Sequence, residues 1–293
     1  MNIVGRRKLW FAISLLVIIP GLITMIFRWT TVGTPLNLGI DFTGGSIINI
    51  EFKKDITVAE IRNVLKEFKL EKTPIQLFGK RTAIIRTPVL GDEQQQNILD
   101  TLSKKVGTYD AGKLQINKVG PVIGKELTRN AILALLLASV LMVIYITFRF
   151  EFRFGIAAII ALLHDVFITL GFFSIFWWEV DSAFVAAILT IIGYSINDTI
   201  VIFDRIRENL NRRKKGEDLE TLVNNSILQT MVRSINTVLT VIFVLAALLI
   251  FGGATIKTFT MALLIGVISG AYSSIFNASP MWVVFKGMER GRA

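Results

Sequence analysis

The stretch AILALLLASVLMVIYITF (Ala131–Phe148) contains no charged side chain and is almost entirely apolar. About 20 such residues carry an α-helix across the hydrocarbon core of a bilayer. Five further apolar runs of similar length lie roughly at Leu9–Phe27, Phe154–Trp177, Ala183–Phe203, Ile235–Phe251 and Phe259–Phe285. The sequence therefore predicts an α-helical membrane protein with six transmembrane helices.

The composition of the 293-residue chain supports this prediction and excludes several classes of function. Hydrophobic residues make up 53% and charged residues 18%, with a mean hydropathy of +0.60, which is rare for a soluble protein of this size. The chain has no cysteine and one histidine, so we expect no disulfide and no metal centre. No glycine-rich phosphate loop occurs either, so we expect no enzymatic activity and no bound cofactor.

Basic residues mark which ends of the apolar runs face the cytoplasm, because cytoplasmic loops are enriched in Lys and Arg. They cluster at both chain ends and in the second–third and fourth–fifth connections: Arg6, Arg7, Lys8, Arg149, Arg153, Arg205, Arg207, Arg212, Arg213, Lys214, Lys215, Lys286, Arg290 and Arg292. Both termini are therefore predicted to be cytoplasmic. The net charge of +10 follows from this orientation, so a nucleic-acid partner is not expected.

The same reasoning divides the chain into three parts. Residues 1–28 form the cytoplasmic N-terminus and the first helix, which we interpret as an uncleaved anchor because no small-x-small cleavage site follows it. Residues 29–125 form a domain outside the membrane, since long insertions are translocated regardless of charge. Residues 126–293 form helices two to six, with a cytoplasmic loop at 204–233.

The outside domain shows short elements separated by turn signals. The pattern predicts, in order, a strand at Ser46–Phe52, a helix at Thr57–Lys69, strands at Pro74–Phe78 and Thr82–Arg86 around a Gly79–Arg81 turn, a helix at Asp92–Val106 and a strand at Leu114–Val119. Thr57 and Asp92 are the expected helix caps. The buried helix faces are expected to consist of Ile61, Val64, Leu65 and Phe68, and of Ile98, Leu102 and Val106. This βαββαβ order predicts an α+β ferredoxin-like fold, which we interpret as a binding or docking module.

Ionisable side chains within an apolar helix are costly, so each one is a candidate functional residue. The third run contains His164 and Asp165 near its middle, and the fourth contains Asn197 and Asp198, roughly 9 Å inside its charged end at ~1.5 Å per residue. Arg233 begins the fifth helix, just before its apolar run. A short acid this deep cannot reach the surface, whereas Arg233 could reach a phosphate by snorkelling. Arg233 is also long enough to approach Asp198 if the two helices pack.

Polar and small residues recur at three- and four-residue steps in the last three runs, so each set lies on one helical face. The sets are Thr190, Gly193 or Tyr194, Asn197 and Asp204; Arg233, Asn236 or Thr237, and Thr240; and Gly266, Ser269 or Gly270, Ser273 and Asn277. We expect the three faces to pack together, away from lipid. Close packing alone would also explain the Ser, Thr and Gly positions.

The segment LGIDFTGGS (Leu38–Ser46) directly precedes the first predicted strand. Gly39, Gly44 and Gly45 permit sharp turns, and Asp41 and Thr43 can bond nearby backbone amides. The segment is expected to form a stiff elbow, and its functional interpretation is the coupling of the domain to the first helix.

Three motifs carry a resemblance to a known family: LGIDFTGGS, the HDV sequence at His164–Val166, and GYSINDTIVIFDRIREN at Gly193–Asn209. The chain resembles the SecD/SecF family of protein-export membrane proteins, within the resistance-nodulation-division superfamily. The resemblance covers essentially the whole chain, and the single set of six helices is similar to a separate SecF-type subunit.

The resemblance implies a bacterial inner-membrane accessory to the SecYEG channel, with SecD as partner, YajC as a further candidate and a translocating preprotein as cargo. It implies that the proton gradient is the energy source and that residues 29–125 are periplasmic. It assigns Asp198 and Arg233 to proton transport, and we expect Asp165, Asn197 and His164 to belong to the same relay. Two alternatives remain: a proton-driven exporter of a small lipid or drug, and a passive assembly subunit.

Overall fold

The computed structural model describes residues 1–71 and 73–290. Within them, six helices are long and apolar enough to cross a membrane, as predicted: Val4–Val32, Val122–Arg149, Phe152–Phe176, Ser182–Asn211, Leu219–Phe251 and Ile256–Gly287. The chain separates into two compact units, one of residues 1–37 with the described residues from Leu133 onwards, and one of Leu38–Ile132. The second unit begins nine residues later than the predicted position 29, because the first helix continues to Val32.

The helices of the membrane unit are α1 (Arg7–Val32), α5 (Pro121–Arg149, which starts in the other unit), α6 (Phe152–Phe176), α7 (Ser182–Asn211), α8 (Leu219–Phe251), α9 (Ala254–Ser273) and α10 (Ser279–Arg290). A π-helical turn at Ser274–Ala278 joins α9 to α10 within the sixth spanning segment. A 3₁₀ turn at Val4–Arg6 precedes α1, and short strands lie at Asn37–Leu38 (β1) and Glu179–Val180 (β6).

The predicted cytoplasmic loop at 204–233 is largely helical in the structure. Helix α7 continues to Asn211, and α8 begins at Leu219 with Asp218 as its cap, accepting from Thr221 N at 2.8 Å. The prediction ended the fourth helix where charges begin, but Arg and Glu are good helix formers and do not end a helix.

Close packing of α1 on α6 depends on two glycines that face each other. A Cβ added at Gly21 would lie 2.6 Å from Gly171 Cα, and one added at Gly171 would lie 3.0 Å from Gly21 Cα. Small residues allow this approach of two backbones, which is the usual basis of helix association in lipid. Helices α6, α7 and α9 form the buried centre of the unit, while few residues of α1 and α8 are fully buried.

The second unit has the predicted ferredoxin-like fold. Its elements are α2 (Ile40–Thr43), β2 (Gly45–Glu51), α3 (Val58–Glu67), β3 (Ile75–Phe78), β4 (Thr82–Thr87), α4 (Asp92–Lys105) and β5 (Gln115–Val119). The sheet has the order β3-β4-β2-β5 and is antiparallel throughout, with Ile48 opposite both Ile85 and Ile116. The predicted inward residues of α3 and α4 pack against it, with Phe68 partly buried.

The two predicted helix caps of this domain have different outcomes. Thr57 caps α3 in a full capping box with Glu60, and hydrogen bonds from Thr57 hold the pKa of the Glu60 carboxyl below its usual value. The prediction for Asp92 was wrong, because Gly91 is the cap and Asp92 is the first residue of α4. Asp92 accepts a hydrogen bond from Lys118 instead, which lowers the pKa of Asp92.

The LGIDFTGGS segment contains a single helical turn, α2, followed by two glycines with positive φ. Gly44 has φ +72° and Gly45 has φ +143°, whereas Gly39 has φ −72°, which any residue can adopt. A Cβ at Gly45 would lie 2.6 Å from the carbonyl oxygen of Thr87. The Thr43 hydroxyl lies 3.1 Å from the Gly39 carbonyl oxygen and donates to it, so the expected bond to an amide is replaced. Asp41 is half-buried in the turn.

Candidate functional site

The most extensively bonded polar residue of the membrane unit is Asp165, on α6. It is fully buried, and its two carboxylate oxygens receive hydrogen bonds from three neighbouring serines. Ser195 of α7 and Ser273 of α9 donate to Oδ2 at 2.6 and 2.8 Å, and Ser269 of α9 donates to Oδ1 at 2.6 Å. A buried charge is tolerated when its acceptor sites are filled in this way. The Asp165 side chain therefore connects α6, α7 and α9 through hydrogen bonds.

His164 extends the same network to the first helix. Its Nδ1 lies 2.9 Å from Asp165 Oδ1 and its Nε2 lies 3.1 Å from Ser14 Oγ on α1. Asn277 Nδ2 donates to the same Ser14 oxygen at 2.7 Å. Since a carboxylate can only accept, we assign the ring proton to Nδ1, which leaves Nε2 to accept from the Ser14 hydroxyl. Both ring nitrogens are therefore within hydrogen-bond distance of a polar partner.

The π-helical turn in the sixth segment lies beside this network. Ser274, its first residue, has its hydroxyl 2.8 Å from Thr199 Oγ1 and donates to the Ser195 carbonyl at 3.3 Å. Such turns interrupt the α-helical register and are frequent at functional sites. The turn presents both Ser274 and Asn277 to neighbouring helices.

Asp198 lies apart from this network, between α7 and α8, and has fewer hydrogen-bond partners than Asp165. The carboxyl group is buried, with 8% of the residue exposed. Ser234 of α8 donates to Oδ1 at 2.7 Å, while the buried Oδ2 has no hydrogen-bond partner. Asp198 is thus a buried carboxyl group with one oxygen bonded and one oxygen without a hydrogen-bond partner among the described residues.

Arg233 precedes Ser234 on α8, so its charge acts on Asp198 from an adjacent position. Arg233 is exposed and makes no hydrogen bond with Asp198, whose Oδ1 accepts from Ser234 and whose Oδ2 has no partner among the described residues, so the predicted direct contact is absent. Arg233 instead lines a polar crevice of ≈ 320 Å³ between α7 and α8, together with Asp204, Glu208 and Thr230. Asp204 pairs with Arg149 and Arg207, and it lies within α7 rather than at the predicted helix end, because α7 continues to Asn211.

Two of the three predicted polar faces are exposed, although the prediction placed them inside the helix bundle. On α7, Thr190, Gly193 and Asn197 are exposed, and the buried face carries Ser195 and Asp198 instead. On α8, Arg233, Asn236, Thr237 and Thr240 are all exposed. The structure therefore does not bring Asn197 to the buried acids.

The third face is confirmed. Gly266, Ser269, Gly270, Ser273 and Asn277 are buried on the sixth segment, where a Cβ at Gly266 would meet Ile191 Cδ1 at 2.2 Å and one at Gly270 would meet Ser195 Cβ at 3.1 Å.

Sequence reasoning missed Ser14, Ser195 and Ser234 as partners of the buried groups. A lone serine in an apolar run is a weak signal, because its hydroxyl can bond its own helix. The helical spacing from Ser195 to Asp198 and Thr199 was the signal that could have indicated the buried face of α7. Among residues 1–71 and 73–290, no group of three His, Cys, Asp or Glu side chains could hold a metal ion.

Two family models match the chain. Residues 98–288 match the model described as "Protein export membrane protein SecD/SecF, C-terminal", and residues 30–56 match the "SecD/SecF GG Motif". The second match contains the LGIDFTGGS segment.

Whole-chain comparisons agree with these matches. The chain is 44% identical over 292 residues to the protein translocase subunit SecF of Acidaminococcus fermentans, covering 97% of both chains. It is 42% identical to the protein translocase subunit SecDF of Bacillus subtilis, covering 97% of this chain and 38% of that protein.

The fold is also that of a solved relative. The crystal structure of SecDF from Thermus thermophilus, described as a translocon-associated membrane protein, superposes with a TM-score of 0.87 at 33% identity, covering 98% of this chain and 39% of that one. The chain spans about two fifths of the fused protein and matches SecF at nearly full length. It therefore belongs to the SecD/SecF family of protein-export membrane proteins, as a SecF-type translocase subunit.

Proposed function

We propose that this SecF subunit works with SecD in the bacterial inner membrane and uses the proton gradient to promote preprotein translocation through SecYEG. The observation that carries the proposal is Asp198, a buried carboxyl group with one donor and one unpartnered oxygen. Arg233 lies next to its only donor, Ser234, and faces a polar crevice at the charged end of α7. These features suit a group whose charge alternates during a cycle.

The driving force is sufficient for such a cycle. One elementary charge crossing 100 mV releases about 2.3 kcal/mol. Protonation of Asp198 would change the charge between α7 and α8 and therefore their packing. In this proposal Asp165 and His164 hold the helices in place, because their polar atoms are engaged. The proton gradient is the energy source, and the role is transport rather than catalysis.

The test is replacement of the acid without change of shape. Asp198→Asn should abolish gradient-dependent export while the chain level and its association with SecD stay normal, and Asp198→Glu should retain part of the activity. Arg233→Met should also abolish it. Asp204→Asn is the matched control, since Asp204 lies on the same helix but is half-exposed and ion-paired. Normal export by Asp198→Asn would refute the relay and favour a passive assembly subunit.

SecD is the partner that the exposed polar surface favours. The exposed amides of Asn197 on α7 and Asn236 on α8 would be costly against lipid, and Gly193 permits close approach of another helix, so a partner helix should cover this surface. The fusion named SecDF in Bacillus subtilis supports this assignment. SecYEG and YajC are further proposed partners.

Co-purification tests this surface. Gly193→Trp should reduce recovery of SecD in mild detergent, because the side chain would project from the proposed contact. Leu16→Trp, at an exposed position of α1, is the control. Equal recovery of SecD with both variants would rule out this face.

We propose that both termini are cytoplasmic and that the ferredoxin-like domain is periplasmic, from the distribution of Lys and Arg. A reporter inserted at Glu217 should be cytoplasmic, and one inserted at Gly91 should be periplasmic. Both reporters on one side would contradict the topology.

A further inference from the structure

The first six residues form a hook that is held against α8, the helix that carries Arg233 and Ser234. Ile3 and Val4 are fully buried. The Val4–Arg6 3₁₀ turn leads directly into α1, and Trp10 Nε1 donates to the Ile3 carbonyl oxygen at 3.1 Å. The hook is therefore part of the packed unit.

One side chain, Asn224, makes the hydrogen bonds that hold the hook. Its Oδ1 accepts from Ile3 N at 2.7 Å and from Val4 N at 3.4 Å, and its Nδ2 donates to the Met1 carbonyl at 2.9 Å. Three backbone groups at the N-terminal end of the first spanning helix are satisfied by one amide, which uses both its acceptor and its donor. Apart from asparagine, only glutamine has an amide oxygen and an amide nitrogen, and its side chain is longer.

A second contact lies one turn earlier on the same face of α8. Glu220 accepts from Arg7 at 2.8 Å, where Arg7 is the first residue of α1. Both side chains are about a third or more exposed, so the pair is screened and contributes little alone. It does place the contact at the start of both helices.

The hook links two helices that otherwise have different partners. Helix α1 packs along α6, while α8 packs against α7 and α9. Helix α8 continues without a break from Asn224 to Ser234, roughly 15 Å at ~1.5 Å per residue. A shift of α8 at the Ser234–Asp198 bond must therefore reach the hook, since a continuous helix moves as a rod.

We propose that the Met1–Arg6 hook and Asn224 form a clasp that couples movement of α8 to α1, with Asn224 as a positioning residue. The inference rests on the proposed proton site at Asp198, because that site supplies the movement. Helix α1 is the segment that precedes the ferredoxin-like domain in the chain, so the clasp offers a mechanical route that bypasses α6.

Accessibility of the hook tests whether Asn224 holds it. The chain has no cysteine, so an Ile3→Cys variant can be labelled specifically with a maleimide in membrane vesicles that also contain SecD. Labelling should be slow and should accelerate at least about tenfold, the equivalent of 1.4 kcal/mol, when Asn224→Ala is added. Asn225→Ala is the matched control, because Asn225 is the next residue on α8 and its side chain is exposed. Equal labelling rates in the two variants would overturn the clasp.

Coupling is tested by export and by the response to the gradient. At equal chain level, Asn224→Ala should lower gradient-dependent export several-fold while Asn225→Ala does not, and a gradient should change the labelling rate of Ile3→Cys but not of Ile3→Cys with Asp198→Asn. If Asp198→Asn abolishes export but Asn224→Ala exports as Asn225→Ala does, the clasp is only structural and the inference fails. If Asp198→Asn exports normally, the proposed function itself fails.

Discussion

Two buried acids lie in the membrane unit, and their surroundings differ in almost every respect. Asp165 has four donors on its two oxygens, from α6, α7 and α9, and none of its surface is exposed. Asp198 has one donor and one unpartnered oxygen, at the contact of α7 with α8. Hydrogen bonds to a carboxylate stabilise its ionised form, so the number of donors is the difference that matters between the two acids. Burial alone would not have separated them.

The same contrast extends to the two faces of α7. The face with Ser195 packs on α9 through Gly266 and Gly270, which admit no larger side chain without displacement. The opposite face, with Gly193 and Asn197, has no such neighbour among the described residues. One face therefore packs within this subunit, and the other is the face that we propose for SecD.

The largest effect should come from removing the satisfied acid. Asp165→Ala would leave four buried donors without their acceptor, at about 1–3 kcal/mol for each that finds no substitute. A summed loss above about 3 kcal/mol is a large part of the stability of an average protein. We expect a low level of folded chain and a lower unfolding temperature in detergent. Asp198→Ala is the control and should fold, so equal losses in both variants would remove the distinction.

The second largest effect on stability should come from a pair of glycine substitutions that compares the two faces of α7. Gly266→Ala would bring a Cβ to 2.2 Å from Ile191 Cδ1, whereas Gly193→Ala meets nothing within 4 Å. Overpacking of this kind costs up to about 3 kcal/mol, while the helix propensity of Ala should slightly favour the exposed site. Thermal unfolding of the subunit without SecD should show a decrease only for Gly266→Ala. An equal decrease for Gly193→Ala would place that face inside the fold.

A pair of serines separates stability from function. Ser195→Ala removes one of four donors to Asp165 and should cost about 1–2 kcal/mol of stability. Ser234→Ala removes the sole donor to Asp198, so it should alter how gradient-dependent export varies with pH. The measurement is the pH profile of export at matched chain levels, together with the unfolding temperature. A changed pH profile for Ser195→Ala alone would assign the exchangeable proton to Asp165.

The sequence predicted the architecture well because the signals for it are repeated many times. Each spanning helix contains a long apolar run, and the domain has alternation, a capping box at Thr57 and a glycine turn between β3 and β4. The confirmed inward residues of α3 and α4 follow from simple helical spacing. An N-cap position, by contrast, depends on one residue, which is why Gly91 could replace Asp92.

The candidate site was harder to predict, for a physical reason. In lipid, a polar face can point inward or towards a partner helix, and the spacing of Thr190, Gly193 and Asn197 is the same in both cases. The sequence could identify Asp165 and Asp198 as buried acids but not count their donors, because these come from Ser195, Ser234 and other serines on distant helices. Arg233 was expected to approach Asp198. In the structure the adjacent residue, Ser234, donates the hydrogen bond to Asp198 instead.

The smallest effect should be found at His164, where the choice of replacement isolates one hydrogen bond. Asn has its amide nitrogen near the position of Nδ1, so His164→Asn can keep the donor to Asp165, while His164→Gln reaches towards Ser14 instead. Both variants lose the stacking on Tyr272, whose ring centroid is 5.9 Å away, so the difference between them reports the hydrogen bonds. A bond to a charged acceptor contributes about 1.5–3 kcal/mol and a neutral one about 0.5–1.5 kcal/mol, so His164→Asn should be the more stable by about 1 kcal/mol. Neither variant should abolish gradient-dependent export, because both ring nitrogens serve the network around Asp165 rather than Asp198. Loss of export in both variants at a normal level of folded chain would return His164 to the proton relay.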